Sequence, residues 1–155
     1  MPQRQIKRLI SVLVAYLVPM AVEAGGPYQF YSITPCRIVD TRNANGPTGG
    51  PALTSGAERD FPITGLCGIP TTAQQVFLNI TVVNPTQAGW LALWPYNTPR
   101  PVPYSNINFP ANSAAIANGA IVTLTADPNF NVAVWYGAPI SGTTNVLLDV
   151  LGYLQ

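Results

Sequence analysis

Histidine is absent from this 155-residue chain, and its single lysine is Lys7. Without histidine the chain cannot form a Ser-His-Asp or Cys-His catalytic arrangement, and it lacks the usual general base and a common zinc ligand. Beyond residue 24 the charged side chains are four arginines and five acids, so basic side chains are too few to bind a phosphate backbone or an anionic membrane. We therefore expect neither an enzyme nor a nucleic-acid-binding protein, and no cofactor.

Long apolar runs are also rare, and the longest lies near the N-terminus. Basic residues precede the largely apolar residues 9–22, and Ala24 provides a small side chain for signal peptidase. These 14 residues fall short of the roughly 20 that a membrane-spanning helix needs. The pattern predicts a signal peptide over residues 1–24, then a single secreted domain over residues 25–155 at the bacterial cell surface, with no membrane contact after cleavage. A retained membrane anchor is the alternative.

Cysteine is scarce too, since Cys36 and Cys67 are the only two in the chain. An even number of cysteines in an exported protein indicates a disulfide, and closing a loop of this length stabilises the fold by on the order of 3.5 kcal/mol. Two thiolates without histidine cannot complete a four-ligand zinc site. The Gly-, Asn- and Pro-rich segment Asn43–Pro51 between them is predicted to be a surface loop, pinned near one end by the disulfide.

What the sequence does contain is a regular succession of short apolar runs, separated by 16 prolines and 13 glycines. This punctuation is typical of an all-β sandwich or barrel. We predict an antiparallel, jelly-roll-like β-sandwich of about nine strands with one disulfide. The strands are expected over residues 28–33, 37–41, 59–63, 75–83, 90–94, 105–109, 120–125, 131–136 and 145–153.

The last predicted strand is apolar on both faces. Alternation directs Val146, Leu148 and Val150 toward the core, whereas the opposite row holds Asp149 and three apolar residues. An apolar outer row is covered either by a loop or by another subunit, and both explanations remain open at this point. The candidate assembly face consists of Leu147, Leu151 and Tyr153.

The densest polar cluster is near Asp40, and Asp149 lies among apolar neighbours. A buried carboxylate must be paired or strongly hydrogen-bonded; Arg37 and Arg42 are natural partners for Asp149, and Asp40 can accept amides of the following turn. We expect a structural polar latch of Asp40, Arg42 and Asp149. The functional alternatives are a glycosidase acid–base pair or a calcium site. The spacing of the acidic residues along the sequence supports neither alternative, and we expect no bound metal.

Aromatic residues provide the strongest binding signal. Trp90 and Trp94 are four positions apart on one predicted strand, so they face the same side about 13 Å apart. With Tyr96 they form a candidate glycan face, because flat rings stack on sugars while neutral side chains supply hydrogen bonds. The alternative is that these tryptophans pack between the sheets or against the proline-rich loop Thr98–Pro103.

Several motifs occur in a fixed order along the chain. They include Pro35-Cys-Arg37-Ile-Val-Asp40-Thr41-Arg42, Gly89-Trp-Leu-Ala-Leu-Trp-Pro95 and the ending Leu148-Asp149-Val150-Leu-Gly152-Tyr153. In this order they resemble a family of secreted bacterial β-domains, found alone or as appendages of larger cell-surface proteins. The resemblance covers roughly residues 30–154. It implies a β-fold, an extracellular address and a surface or structural role, and it supplies no functional residues.

Two functional hypotheses follow. The first is a self-assembling extracellular subunit of a filament, sheath or surface layer, whose partner is a further copy of the chain. A net charge near minus one beyond residue 24 opposes association little, and lysine, a common guard of sheet edges, is missing there. The second hypothesis is a carbohydrate-binding module that holds a cell-surface glycan on its aromatic face.

Overall fold

A computed structural model of the chain describes residues 27–155. The predicted signal peptide and its cleavage point lie outside the described residues. Within residues 27–155, no helix is long and apolar enough to cross a membrane.

The described residues form nine β-strands and no helix, which confirms the all-β prediction. The predicted disulfide between Cys36 and Cys67 is also present. The strands are β1 (Phe30–Asp40), β2 (Leu53–Thr54), β3 (Glu58–Phe61), β4 (Gln75–Val83), β5 (Gly89–Pro95), β6 (Ile107–Phe109), β7 (Ala115–Thr123), β8 (Val132–Gly137) and β9 (Thr143–Leu154).

Two antiparallel sheets make up the fold. One has the strand order β1-β9-β4-β7, with the two-residue β2 also pairing with β9, and the other has the order β3-β8-β5-β6. The first and last long strands are neighbours, and the eight longer strands divide equally between the sheets. This arrangement is that of a jelly roll, as the sequence predicts.

The core lies between the two sheets and is filled by alternate residues of their strands. On β4 the predicted inward row, which includes Val76, Leu78 and Ile80, is fully buried. It meets Leu91 and Leu93 of β5 from the other sheet. Each of these aliphatic side chains stabilises the folded state by roughly 1.5–3 kcal/mol through burial.

Strand boundaries differ from the prediction chiefly at β1 and β7, and the two-residue strand β2 was not predicted. Residues predicted as two separate strands, 28–33 and 37–41, form the single strand β1, which contains two irregularities in its pairing with β9. Strand β7 begins at Ala115, five positions before its predicted start at residue 120. Alanine, asparagine and glycine at its beginning have low strand propensity, and pairing with β4 overrides that preference.

The predicted assembly face on β9 does not form as one exposed row. A β-bulge between the β4 pairs Phe77–Gly152 and Leu78–Val150 shifts the alternation of β9 at residue 151. Tyr153 consequently pairs with buried Val76 and packs against the core. Leu147 is only 4% exposed, so its side chain is not available for contact with another subunit. Of the three predicted residues, Leu151 alone remains half-exposed on the outer side.

The long loop after β1 is held by an arginine and not by the disulfide. The Arg59 guanidinium of β3 donates to the backbone carbonyls of Gly46, Gly49, Gly50 and Pro51. The disulfide instead ties β1 to the turn that follows β3. The expectation that the disulfide pins this loop is therefore wrong.

Candidate functional site

Strand β7 forms one edge of the first sheet and pairs there with β4 alone among residues 27–155. Just beyond its two ends, Leu124 donates to Gln74, and Ala114 accepts from Asn84. Hydrogen-bonded pairs alternate along an antiparallel ladder, so the even-numbered residues of β7 direct their backbone groups toward β4. The odd-numbered residues direct theirs to the open edge: Ala115, Ala117, Gly119, Ile121 and Thr123.

These five odd-numbered residues are all exposed, and Ile121 is 58% exposed. They lie on the outer face, because the even-numbered Ile116, Ala120 and Val122 pack against the core. The strand contains no charged residue and no proline, and its nine pairs with β4 run without a register shift. β7 is thus a long, regular edge strand without a charge, a proline or a bulge that would discourage pairing with another strand.

The four other edge strands each carry a feature that discourages pairing. β2 has only two residues. β3 is four residues long and has three consecutive charged residues, Glu58–Asp60. β6 has three residues. β1 contains Pro35 and Arg37, and its ladder with β9 is interrupted twice. β7 is therefore the one unguarded sheet edge in the described part of the chain.

The predicted glycan face is not a single surface. Trp94 is 3% exposed and donates its indole N–H to the carbonyl of Thr98, at 3.1 Å. Its burial under this loop is the alternative that the sequence left open, and it contradicts an exposed role for Trp94. Tyr96 packs against Phe130 with ring centroids 5.3 Å apart, and it does not line the depression beside Trp90.

Trp90 does line an open depression of about 390 Å³. One part of its indole lies directly over Gly137, where a Cβ atom would be 2.2 Å from the ring. The depression is completed by Asn108 of β6 and by Tyr104 and neighbouring residues of the loop before β6. An aromatic ring beside an amide is a suitable surface for a neutral sugar.

The polar residues near β1 form two arginine–carboxylate pairs. Arg37 donates to both carboxylate oxygens of Asp149, at 2.7 and 3.0 Å. Arg42 donates to both oxygens of Asp40, at 2.8 and 2.6 Å, and Arg37 also lies 3.6 Å from Asp40. The side-chain hydrogen bond from Arg42 lowers the pKa of Asp40 from 3.8 to about 2. Arg37, and not Arg42, is thus the partner of Asp149.

On the outer face of the second sheet, Glu58 and Asp60 lie beside Trp135 and Ala133 of β8. Partial desolvation raises the pKa of both carboxyl groups, although Glu58 is exposed, and the neighbouring Asp60 raises the pKa of Glu58 further. Among residues 27–155, one Asp60 oxygen and the Trp135 indole N–H are buried without a hydrogen-bond partner. Each carboxyl group thus affects the pKa of the other.

Comparison of the chain with protein-family models, curated proteins and solved structures finds no match.

Proposed function

We propose that this protein is an extracellular structural subunit that self-associates into a filament, sheath or surface layer. The observation that carries the proposal is the unguarded edge of β7. A strand with free backbone donors and acceptors is a template for pairing with another strand. Secretion, which the N-terminal sequence predicts, supplies the setting, and a disulfide is consistent with it.

Charge supports the same proposal. Beyond residue 24 four arginines oppose five acids, and several of these charges are neutralised within the fold, as in the Arg37–Asp149 and Arg42–Asp40 pairs. Little net repulsion is left to keep copies of the chain apart. Natural edge strands usually avoid association by means of charge, proline or bulges, and β7 has none of these.

The test is a proline substitution that removes an outward N–H without breaking the fold. The Ala117 N–H points away from β4, so Ala117→Pro removes no hydrogen bond of the β4–β7 ladder. Ala117→Thr is the matched control, because it keeps the N–H and suits a strand. We expect the secreted protein and Ala117→Thr to form assemblies in light scattering and electron microscopy. Ala117→Pro should remain monomeric with an unchanged β-sheet circular dichroism spectrum.

Two outcomes would reject the proposal. One is a wild-type protein that stays monomeric at millimolar concentration. The other is an Ala117→Pro variant that assembles as the wild type does. Leu151→Lys distinguishes assembly through β7 from assembly through the face predicted on β9. If β7 is the contact, this variant should assemble as the wild type does.

A second candidate function, binding of a neutral cell-surface glycan, is favoured by the open depression beside Trp90. Titration of the secreted protein with neutral oligosaccharides should then change its tryptophan fluorescence. Asn108→Ala should weaken the response, whereas Asn129→Ala, an exposed asparagine outside the depression, should not. The absence of any fluorescence change at millimolar sugar would count against this candidate.

A further inference from the structure

We propose that β7 pairs antiparallel with β7 of a second copy of this chain, with Gly119 opposite Gly119 of the partner subunit. This inference rests on the proposed self-association and gives the partner and register of its first contact. Because a two-fold pair is a closed dimer, growth into a filament or layer requires a second contact on another surface of the chain. It begins from the outward-facing backbone groups of β7, which belong to the odd-numbered residues between Ala115 and Thr123.

A two-fold axis at Gly119 aligns all of these groups. Ala115 then faces Thr123 of the partner subunit, and Ala117 faces Ile121 of the partner subunit. Each pair joins two odd-numbered residues, so each exchanges two hydrogen bonds, about ten in total. A register displaced by one residue would place odd-numbered residues opposite even-numbered ones, whose backbone groups already bond to β4. The alternation therefore restricts the register to steps of two.

Among the registers that remain, side-chain size favours the one centred on Gly119. On the outer face, the largest residue, Ile121, lies opposite Ala117 of the partner subunit, and Thr123 lies opposite Ala115 of the partner subunit. Gly119 sits at the axis beside the Phe77 ring, which would be 3.3 Å from a Cβ atom added at this glycine. Large side chains thus face small ones in every pair that has a large member.

A cleft lies beside the edge of β7. It has a volume of about 200 Å³ and is lined by residues 121–123 of β7 and by Pro101 and Tyr104 of the loop before β6. The proposed register places Ile116 of the partner subunit opposite Val122, beside this cleft. Ile116 is half-buried in the isolated chain, so pairing would remove more of its apolar surface from water.

The competing arrangement joins β7 to β1 of the next copy and extends the sheet head to tail. β1 is a poor partner for nine regular residues, because its ladder breaks between Ser32 and Cys36 and again between Arg37 and Val39. Pro35 within the first break also lacks an N–H. The self-pairing of β7 requires no such interruption.

Nitroxide labels distinguish the two arrangements by electron spin resonance. In the two-fold pair, labels on Ala115→Cys lie about 27 Å apart, since eight residues separate the two positions along the strands. Labels on Ala117→Cys lie about 14 Å apart. Head-to-tail addition gives the same spacing at both positions, about four strand widths or 19 Å. We expect the distance between labels at position 117 to be about half the distance between labels at position 115.

Labels on β4 keep the test decisive if labels on β7 block association. Gln75→Cys and Thr81→Cys lie one strand from the edge, and the two-fold pair predicts distances of about 31 and 20 Å for them. Distances that do not depend on label position would overturn the two-fold register while leaving self-association intact. A wild-type protein that is monomeric in light scattering would instead reject the proposed function itself.

Discussion

The guanidinium carbon of Arg100 lies 4.3 Å from the centroid of the Trp135 ring. This contact brings the loop before β6 onto the outer face of the second sheet. The same loop accepts the indole N–H of Trp94 through Thr98. Two neighbouring tryptophans are thus tied to one loop, by a cation–π contact and by a hydrogen bond.

Arg100→Ala should loosen this loop. A cation–π contact at a partly exposed site contributes about 0.5–1 kcal/mol, so we expect a loss of that size in the free energy of unfolding. Acrylamide should also quench the tryptophan fluorescence more strongly. Arg100→Lys keeps the charge but not the planar stacking, and it should fall between wild type and Arg100→Ala. Unchanged quenching in Arg100→Ala would contradict the role given to this contact.

The sequence predicts the fold well where strands are regular. The inward row of β4 follows from simple alternation, because β4 runs unbroken along β7 and its core face is apolar throughout. Tyr153 could not be placed in this way, because one bulge reverses the alternation after residue 150. The position of a bulge depends on the pairing of neighbouring strands, which no single strand reveals.

The candidate site was harder to predict than the fold. Which strand lies at an edge is a property of topology, so the absence of lysine suggested unguarded edges without indicating β7. Similarly, the spacing of Trp90 and Trp94 predicts that they lie on the same side of the strand, but it does not reveal the loop that covers Trp94. Arg59 gave no sequence signal beyond its position between two acidic residues.

Arg59 should be essential for the loop after β1. Its guanidinium serves four backbone carbonyls and also stacks on Phe61 at 4.8 Å. Arg59→Met keeps much of the aliphatic stem but leaves these carbonyls without their donor. We expect a loss of about 2–4 kcal/mol in urea unfolding and faster proteolysis within Asn43–Pro51. Arg59→Lys is the control, because it keeps the charge but not the planar guanidinium fork, and a stability of Arg59→Lys equal to that of wild type would argue against a specific role of the guanidinium.

Asn131 should tolerate no change of its amide. Its oxygen accepts the N–H groups of Ile63 and Thr64 at 2.7 and 2.8 Å, and its nitrogen donates to the carbonyls of Thr125 and Asp127. Asn131→Asp replaces the donor by an oxygen that faces two carbonyls. Since the residue is buried, we expect a loss of about 3 kcal/mol at neutral pH.

The matched control for Asn131→Asp is Asn129→Asp, which introduces the same charge at an exposed position two residues away. Chemical denaturation at pH 7 measures both variants. We expect the control to remain within about 0.5 kcal/mol of wild type. A stability of Asn131→Asp equal to that of the control would refute the importance of the amide network.

Glu58 should make the protein less stable as the pH rises. Burial and Asp60 raise the pKa of Glu58 above its ordinary 4.5, so the folded state binds a proton more tightly than the unfolded state. Stability therefore decreases as the pH rises from 4.5 through the raised pKa. Glu58→Gln should flatten this decrease and be more stable than wild type at pH 7. Thermal unfolding across pH 4–8 tests it, and a Glu58→Gln curve parallel to that of wild type would be inconsistent with this explanation.

Asp40 should make the protein less stable as the pH falls. Its pKa falls from 3.8 to about 2 in the folded state, chiefly because Arg42 donates to its carboxylate. The stabilisation is therefore fully present above the unfolded pKa of 3.8 and is lost as the pH falls from about 4 to about 2. Asp40→Asn should be less stable than wild type at pH 6, and the difference should shrink toward pH 2. Because Arg42 meets Asp40 whereas Arg37 meets Asp149, Arg42→Met should abolish most of this acid-dependent loss. If both variants still lose stability below about pH 4 as the wild type does, another carboxylate causes this loss.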